Sequence, residues 1–109
     1  MTSITKTIAA LNDRFRRTLA GGKVVLSADI AALPEAAREH IICKVRAFDT
    51  FDAEDDPYGE HDFGAFEALG KTVFWKIDYF DEAMAAGSAE PSDPAVTTRV
   101  LTIMFAEEY

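Results

Sequence analysis

The residues best equipped for chemistry lie together in Asp55-Asp56-Pro57-Tyr58-Gly59-Glu60-His61-Asp62-Phe63-Gly64, which holds one of only two histidines and four of the nineteen acids. Two chemistries fit these residue types. Hard cations take several oxygens, and transition metals accept imidazole beside carboxylate. A divalent cation would therefore draw on Glu60, His61 and Asp62, with Asp55, Asp56 and the later Asp78 as further oxygens. The spacing does not reproduce an EF-hand, which needs alternating acids, a glycine and a distal glutamate. If 60–62 is extended, Glu60 and Asp62 share one face and His61 points to the other. Acid–base catalysis is the second chemistry: Glu60 or Asp62 would orient His61 as base, with Tyr58 or Tyr79 as donor. No nucleophile elbow or phosphate-cradling glycine loop accompanies it.

Two non-catalytic readings use the same residues. Carboxylates interleaved with Tyr58, Phe63 and Trp75 suit a surface that docks a basic protein. One form is a decoy whose carboxylates stand in for DNA phosphates in the groove of a nuclease or other defence protein. Alternatively the stretch serves the fold. Asp56 and Asp62 then cap turns, Gly59 and Gly64 permit positive φ, and His61 is a hydrogen-bonded linchpin. Lys76 would pair with Asp78 across strands, and Arg99 would answer an acid. The binding residues singled out are Asp56, Tyr58, Glu60, His61, Asp62 and Asp78.

The elements that must position them follow from periodicity. Ile4, Ile8, Leu11, Phe15 and Leu19 form one face of a helix, capped by Thr2 or Ser3 and stopped by Gly21-Gly22. Arg14, Arg16 and Arg17 fall in its last two turns, where the helix dipole favours positive charge. Lys23–Ser27 reads as a short strand and 29–33 as a connector with room for one helical turn. Pro34 suits a first helical residue, opening a second helix over 34–47 with Ala37, Ile41, Val45 and Phe48 inward. Cys43, three residues after His40, lacks an activating context and reads as a small buried hydrophobe. The acid-rich segment 49–62 is a loop. Two strands, 63–69 and 72–80, form an antiparallel hairpin about Gly70-Lys71, with Gly64 allowing a bulge or close approach. Asp81–Ala86 has room for one or two helical turns, and the two prolines of 88–94 exclude regular structure there. The last strand, 97–106, is apolar on both faces, as a central strand or one with a face in an interface.

Length and charge bound the rest. A chain of 109 residues is one domain, 1–109, with enough material for a core. Residues 1–48 carry eight bases and four acids, a net +4, and residues 49–109 carry three bases and fifteen acids, a net −12. Such a balance disfavours direct contact with nucleic acid or anionic membrane and favours cationic partners. One cysteine excludes an internal disulfide framework. The opening Met-Thr-Ser-Ile-Thr-Lys lacks the pattern of a signal peptide, and no apolar run has transmembrane length, so a cytoplasmic location is expected.

The strings Asp-Pro-Tyr-Gly-Glu-His-Asp-Phe-Gly (56–64) and Thr-Arg-Val-Leu-Thr-Ile-Met-Phe-Ala-Glu-Glu-Tyr (98–109) are distinctive. With Phe74-Trp75-Lys76-Ile77-Asp78-Tyr79, Ser92-Asp93-Pro94 and Leu11-Asn12-Asp13, they resemble a family of small bacterial proteins catalogued as a domain of unknown function. The resemblance spans nearly the whole chain. It implies an alphaproteobacterial, often plasmid-borne, setting and brings no activity, cofactor or catalytic residue. Asn often precedes the Asp-Pro-Tyr-Gly string in that family, where this chain has Asp55.

The reading is an α+β domain, two N-terminal helices on an antiparallel sheet of three or four strands. Its expected core is Ile8, Leu11, Phe15, Val25, Ile41, Val45, Phe48, Trp75, Ile77, Leu101, Ile103 and Phe105. The function expected first is non-enzymatic binding of a basic protein partner through the acidic face, with no cofactor. The alternative is a divalent-metal-dependent enzyme centred on Glu60-His61-Asp62.

Overall fold

A computed structural model describes residues 2–109. Helix α1 spans Ser3–Thr18 and begins where the Thr2 hydroxyl accepts from the Thr5 amide at 3.1 Å. It ends earlier than the glycine pair suggested. Leu19 itself takes the left-handed conformation (φ 59°) and returns its amide to the Phe15 carbonyl. Gly22 has a different task. A Cβ there would lie 2.5 Å from the Arg99 carbonyl oxygen and 2.7 Å from the Phe15 ring, so glycine lets two strands and a helix close up.

Strand β1 (Gly22–Leu26) leads into a single-turn helix α2 (Ala28–Ala31), capped by Ser27. Four residues do not form a helix on propensity alone; the complete burial of Ile30 holds this one. Helix α3 covers Glu35–Ala47, with Pro34 as the residue preceding the first turn. After the 48–62 loop come β2 (Phe63–Ala68) and β3 (Lys71–Phe80). Leu69 and Gly70 form their two-residue turn, both with positive φ, as the twist of a tight hairpin demands. The 81–86 segment is a turn rather than a helix. Asp81 accepts from the Ala85 amide, and a Phe80–Gly87 bridge returns the chain. Strand β4 (Thr98–Phe105) ends one residue before the expected 106 and is followed by a short 3-10 turn, Ala106–Glu108.

The fold is α+β, with N-terminal helices on a four-stranded sheet of order β1-β4-β3-β2. The β2–β3 and β3–β4 pairs are antiparallel, but β1 runs parallel to β4, so the sheet is mixed. β1 and β4 are far apart in sequence, so no hairpin dictates their relative direction. The core joins Phe15, Ile30, Ile41 and Val45 of the helices to Val73, Trp75 and Ile77 of β3 and Leu101, Ile103 and Phe105 of β4. Phe48 packs against it. Leu11 is half-buried, and Val25, on the edge strand, is 46% exposed instead of internal. β4 is buried on both sides, but the helices occupy only one. On the other, Phe74 is flanked by Phe63 and Tyr109 at 5.2 and 5.7 Å between ring centres. Among the described residues no helix is long and apolar enough to cross a membrane.

Candidate functional site

The candidate site is built on three consecutive demands of α1. Ile8, Asn12 and Arg16 form one row at i, i+4, i+8, and all three are buried, Asn12 and Arg16 completely. Buried polar groups must be hydrogen-bonded, and a buried charge must be answered. Arg16 is answered by three hydrogen bonds and two aromatic rings, though its Nε has no partner among the described residues. Its Nη1 donates to the Val45 and Arg46 carbonyls at 2.9 and 3.1 Å, and its Nη2 donates to Asp13 at 3.0 Å. Its guanidinium also lies over the Trp75 ring at 4.9 Å and the Phe51 ring at 5.5 Å. The two carbonyls belong to the C-terminal end of α3, which leaves such groups unpaired. Arg46 returns the arrangement by donating to the Arg17 carbonyl at 2.8 Å, so each helix caps the other.

Asp13 also holds His61. The imidazole Nδ1 donates to the Asp13 carboxylate, 3.0 Å from each oxygen, and the ring stacks on Phe51 at 3.8 Å with 2° between planes. The other ring nitrogen sits 3.9 Å from Asp56. His61 takes positive φ (56°), an uncommon conformation that its neighbours enforce: its amide donates to the buried Asp56 carboxylate at 3.2 Å. Asp56 opens a turn with Pro57 second and Gly59 fourth, closed by the Gly59 amide on the Asp56 carbonyl at 3.1 Å. Tyr58 crowns this turn at 78% exposure.

Asn12 organises a second group. Its amide donates to the Glu60 carbonyl at 3.0 Å and the Tyr79 hydroxyl oxygen at 2.8 Å, and the Tyr79 hydroxyl donates to the Glu60 carboxylate at 2.9 Å. Asn12 accepts from Arg99 Nε at 2.7 Å. Burial, above all, drives the Tyr79 phenol far above its ordinary pKa, so it is a fixed donor. Burial first, then the Glu60 charge, raises Asp62 above the ordinary carboxylate value. Arg99 is lowered by burial. It does not answer an acid directly, contrary to expectation; Asn12 and the Pro91 carbonyl take its place.

The six residues singled out from the sequence are thus divided. Asp56, Glu60 and His61 are tied to one another or to α1 and β3, and Asp62 is half-buried with its carbonyl accepting from the Ile77 amide at 2.8 Å. Tyr58 stands in solvent. Asp78 lies on the helix-free face and pairs with Lys76 at 3.0 Å along the same strand rather than across strands. Glu60, His61 and Asp62 do not meet as ligands, and among the described residues no group of three or more His, Cys, Asp or Glu side chains is arranged to hold a metal ion. Gly64 serves close approach: a Cβ would overlap the Trp75 indole nitrogen and lie 2.8 Å from Phe48. Cys43 is exposed, not buried. The loop acids Asp49, Asp52, Glu54 and Asp55 are exposed, and among the described residues none has an ion-pair partner. Asp52 accepts from the Glu54 and Asp55 amides at 3.0 and 2.8 Å, which fixes the loop's shape.

Sequence reasoning missed Asn12, Asp13 and Arg16 as the supports of this region. The available signal was the Ile8-Asn12-Arg16 row, in which polar residues continue a buried ridge.

Fold and geometry together define a small α+β domain in which a histidine–carboxylate network underlies an unpaired acidic loop. Residues 26–108 match the model of the family described as "Protein of unknown function (DUF3768)". The match covers well over half of the chain, which belongs to that family. No curated protein and no solved structure matches it.

Proposed function

We propose that this protein is a non-enzymatic, cytoplasmic binding protein that docks a basic, nucleic-acid-binding protein through its acidic loop. The supporting observation is the set of exposed, unpaired carboxylates at Asp49, Asp52, Glu54 and Asp55 beside the exposed Tyr58. Like charges crowded without counter-ions repel one another, and a cationic partner relieves that repulsion while steering association. Tyr58 offers an apolar ring with a polar tip, the kind of side chain that anchors interfaces. His61 contributes by holding the loop: its amide on Asp56 and its ring between Asp13 and Phe51 set where the acids project. In the plasmid setting that the family resemblance implies, a nuclease or other defence protein is the fitting partner, with carboxylates occupying phosphate positions.

Affinity capture from a bacterial lysate, at about 0.05 M and about 0.5 M salt, tests this reading, since exposed charge pairs are screened at the higher value. The tagged protein is compared with a variant carrying Asp52→Asn, Glu54→Gln and Asp55→Asn. A basic protein retained at low salt, released at high salt and lost in the variant is the expected result. A partner that binds both forms equally, or no salt-sensitive partner, contradicts it.

A further inference from the structure

A second region of the molecule has the opposite character. A cleft of about 350 Å³ opens between the C-terminal half of α1 and the loop before β4, lined by Leu11, Arg14, Phe15, Pro94, Thr97 and Arg99, among others. That volume lies at the lower end of ligand cavities, roughly 300–1,000 Å³. Its floor holds Arg99, only 3% exposed. A buried guanidinium is ordinarily paired with a carboxylate, because desolvating an unanswered charge is costly. Arg99 has no such partner among the described residues: Nε donates to Asn12, Nη2 to the Pro91 carbonyl, and Nη1 makes no hydrogen bond. Glu60 makes no ion pair with it and is joined to it by hydrogen bonds only through Asn12 and Tyr79. Arg14, which α1 contributes to the lining, is exposed and makes neither an ion pair nor a side-chain hydrogen bond among the described residues.

We propose that this cleft binds a small organic carboxylate, its anionic group between Arg99 and Arg14 and its apolar body against Leu11, Phe15 and Pro94. With Nε and Nη2 engaged, Arg99 offers one nitrogen, and Arg14 supplies a second cation from α1. Two monodentate cations on a wall whose other polar side chains are only Thr18 and Thr97 match a singly charged head on a hydrocarbon body better than a dianionic phosphate, which takes a denser set of donors. Asn12 and Pro91 hold the Arg99 fork in place before the ligand arrives, so little side-chain freedom is lost on binding. This inference is independent of the acidic loop and goes beyond it.

The test is a titration of the isotopically labelled full chain with hexanoate, hexanamide and inorganic phosphate, followed by amide and arginine side-chain shifts. Hexanoate is expected to give saturable shifts at Leu11, Thr97 and the Arg99 Nε, with hexanamide and phosphate much weaker. Arg14→Gln weakens hexanoate about threefold, as an exposed cation should. Arg99→Lys weakens it about tenfold, as a buried charge-assisted contact should. Should Arg99→Lys lose the native spectrum, Arg14→Gln, at an exposed position, still decides. No saturable shift with hexanoate, equal shifts with hexanamide, affinity unchanged in Arg14→Gln, or phosphate binding in its place would each overturn the proposal.

Discussion

Two arginines are buried in this chain, and the regions around them are completed differently. Arg16 meets a carboxylate, two helix-terminal carbonyls and two aromatic faces, all from within the protein. Arg99 meets an amide oxygen, a carbonyl and one aromatic face, Tyr79 at 5.2 Å, has no carboxylate partner among the described residues, and borders a cleft. The first region is enclosed, although among the described residues Arg16 Nε is buried without a hydrogen-bond partner. It absorbs the histidine and several of the acids that look most reactive in the sequence. The second, among the described residues, leaves one buried cation without a carboxylate in a cleft lined mainly by apolar groups. A dense cluster of reactive side chains is therefore absorbed by the fold, while the buried guanidinium without a carboxylate lines a cleft.

Breaking the closed region should give the largest effect. Arg16→Met removes one of the two partners of part-buried Asp13 and uncaps α3, and a loss of roughly 3–5 kcal/mol in urea denaturation is expected for a broken, largely buried network. Arg99→Met should cost clearly less, because it strands no carboxylate; equal losses would erase the contrast between the two. Gly64→Ala comes next. Its methyl must displace the Trp75 indole or Phe48, and overpacking of this kind costs about 1–3 kcal/mol, readable as a lower melting temperature.

A smaller effect separates Asp62 from the other acids. Its folded pKa lies above the unfolded one, so the folded state holds a proton more tightly. The resulting stabilisation is complete below the unfolded value of 3.8 and is lost as pH rises through the folded value. Asp62→Asn should therefore raise stability at pH 7 and lose that advantage in acid below the ordinary carboxylate pKa; thermal melts across this range check the sign. The smallest effect on stability belongs to the loop: the combined Asp52→Asn, Glu54→Gln, Asp55→Asn variant should change it by about 0.5 kcal/mol or less per site, as exposed substitutions do. A large loss there would mean the acids serve the fold.

The layers of the fold were legible because they rest on periodicity. The Ile41/Val45 stripe, the 72–80 alternation and the doubly apolar 98–105 strand all appear as read. The parallel setting of β1 was not legible, since nothing local orients two strands separated by most of the chain. Nor was the exposure of Val25, which follows from β1 lying at the sheet edge. In the candidate site the loop and the turn at Asp56–Gly59 were readable from turn chemistry. The partners of His61 and Arg99 were not, because Asp13 and Asn12 come from a helix nearly fifty and ninety residues away. The arginines of α1 were assigned to the helix dipole, and only packing distinguishes Arg16, buried, from Arg14 and Arg17, exposed.

The central claim is that His61 is bound into the fold and the loop acids are left for a partner. The urea midpoint of His61→Ala tests it most directly. Loss of the Asp13 hydrogen bond and the Phe51 stack should lower stability by roughly 1–3 kcal/mol. A variant as stable as the parent would contradict the account, because it would show a histidine held for a ligand rather than for the structure.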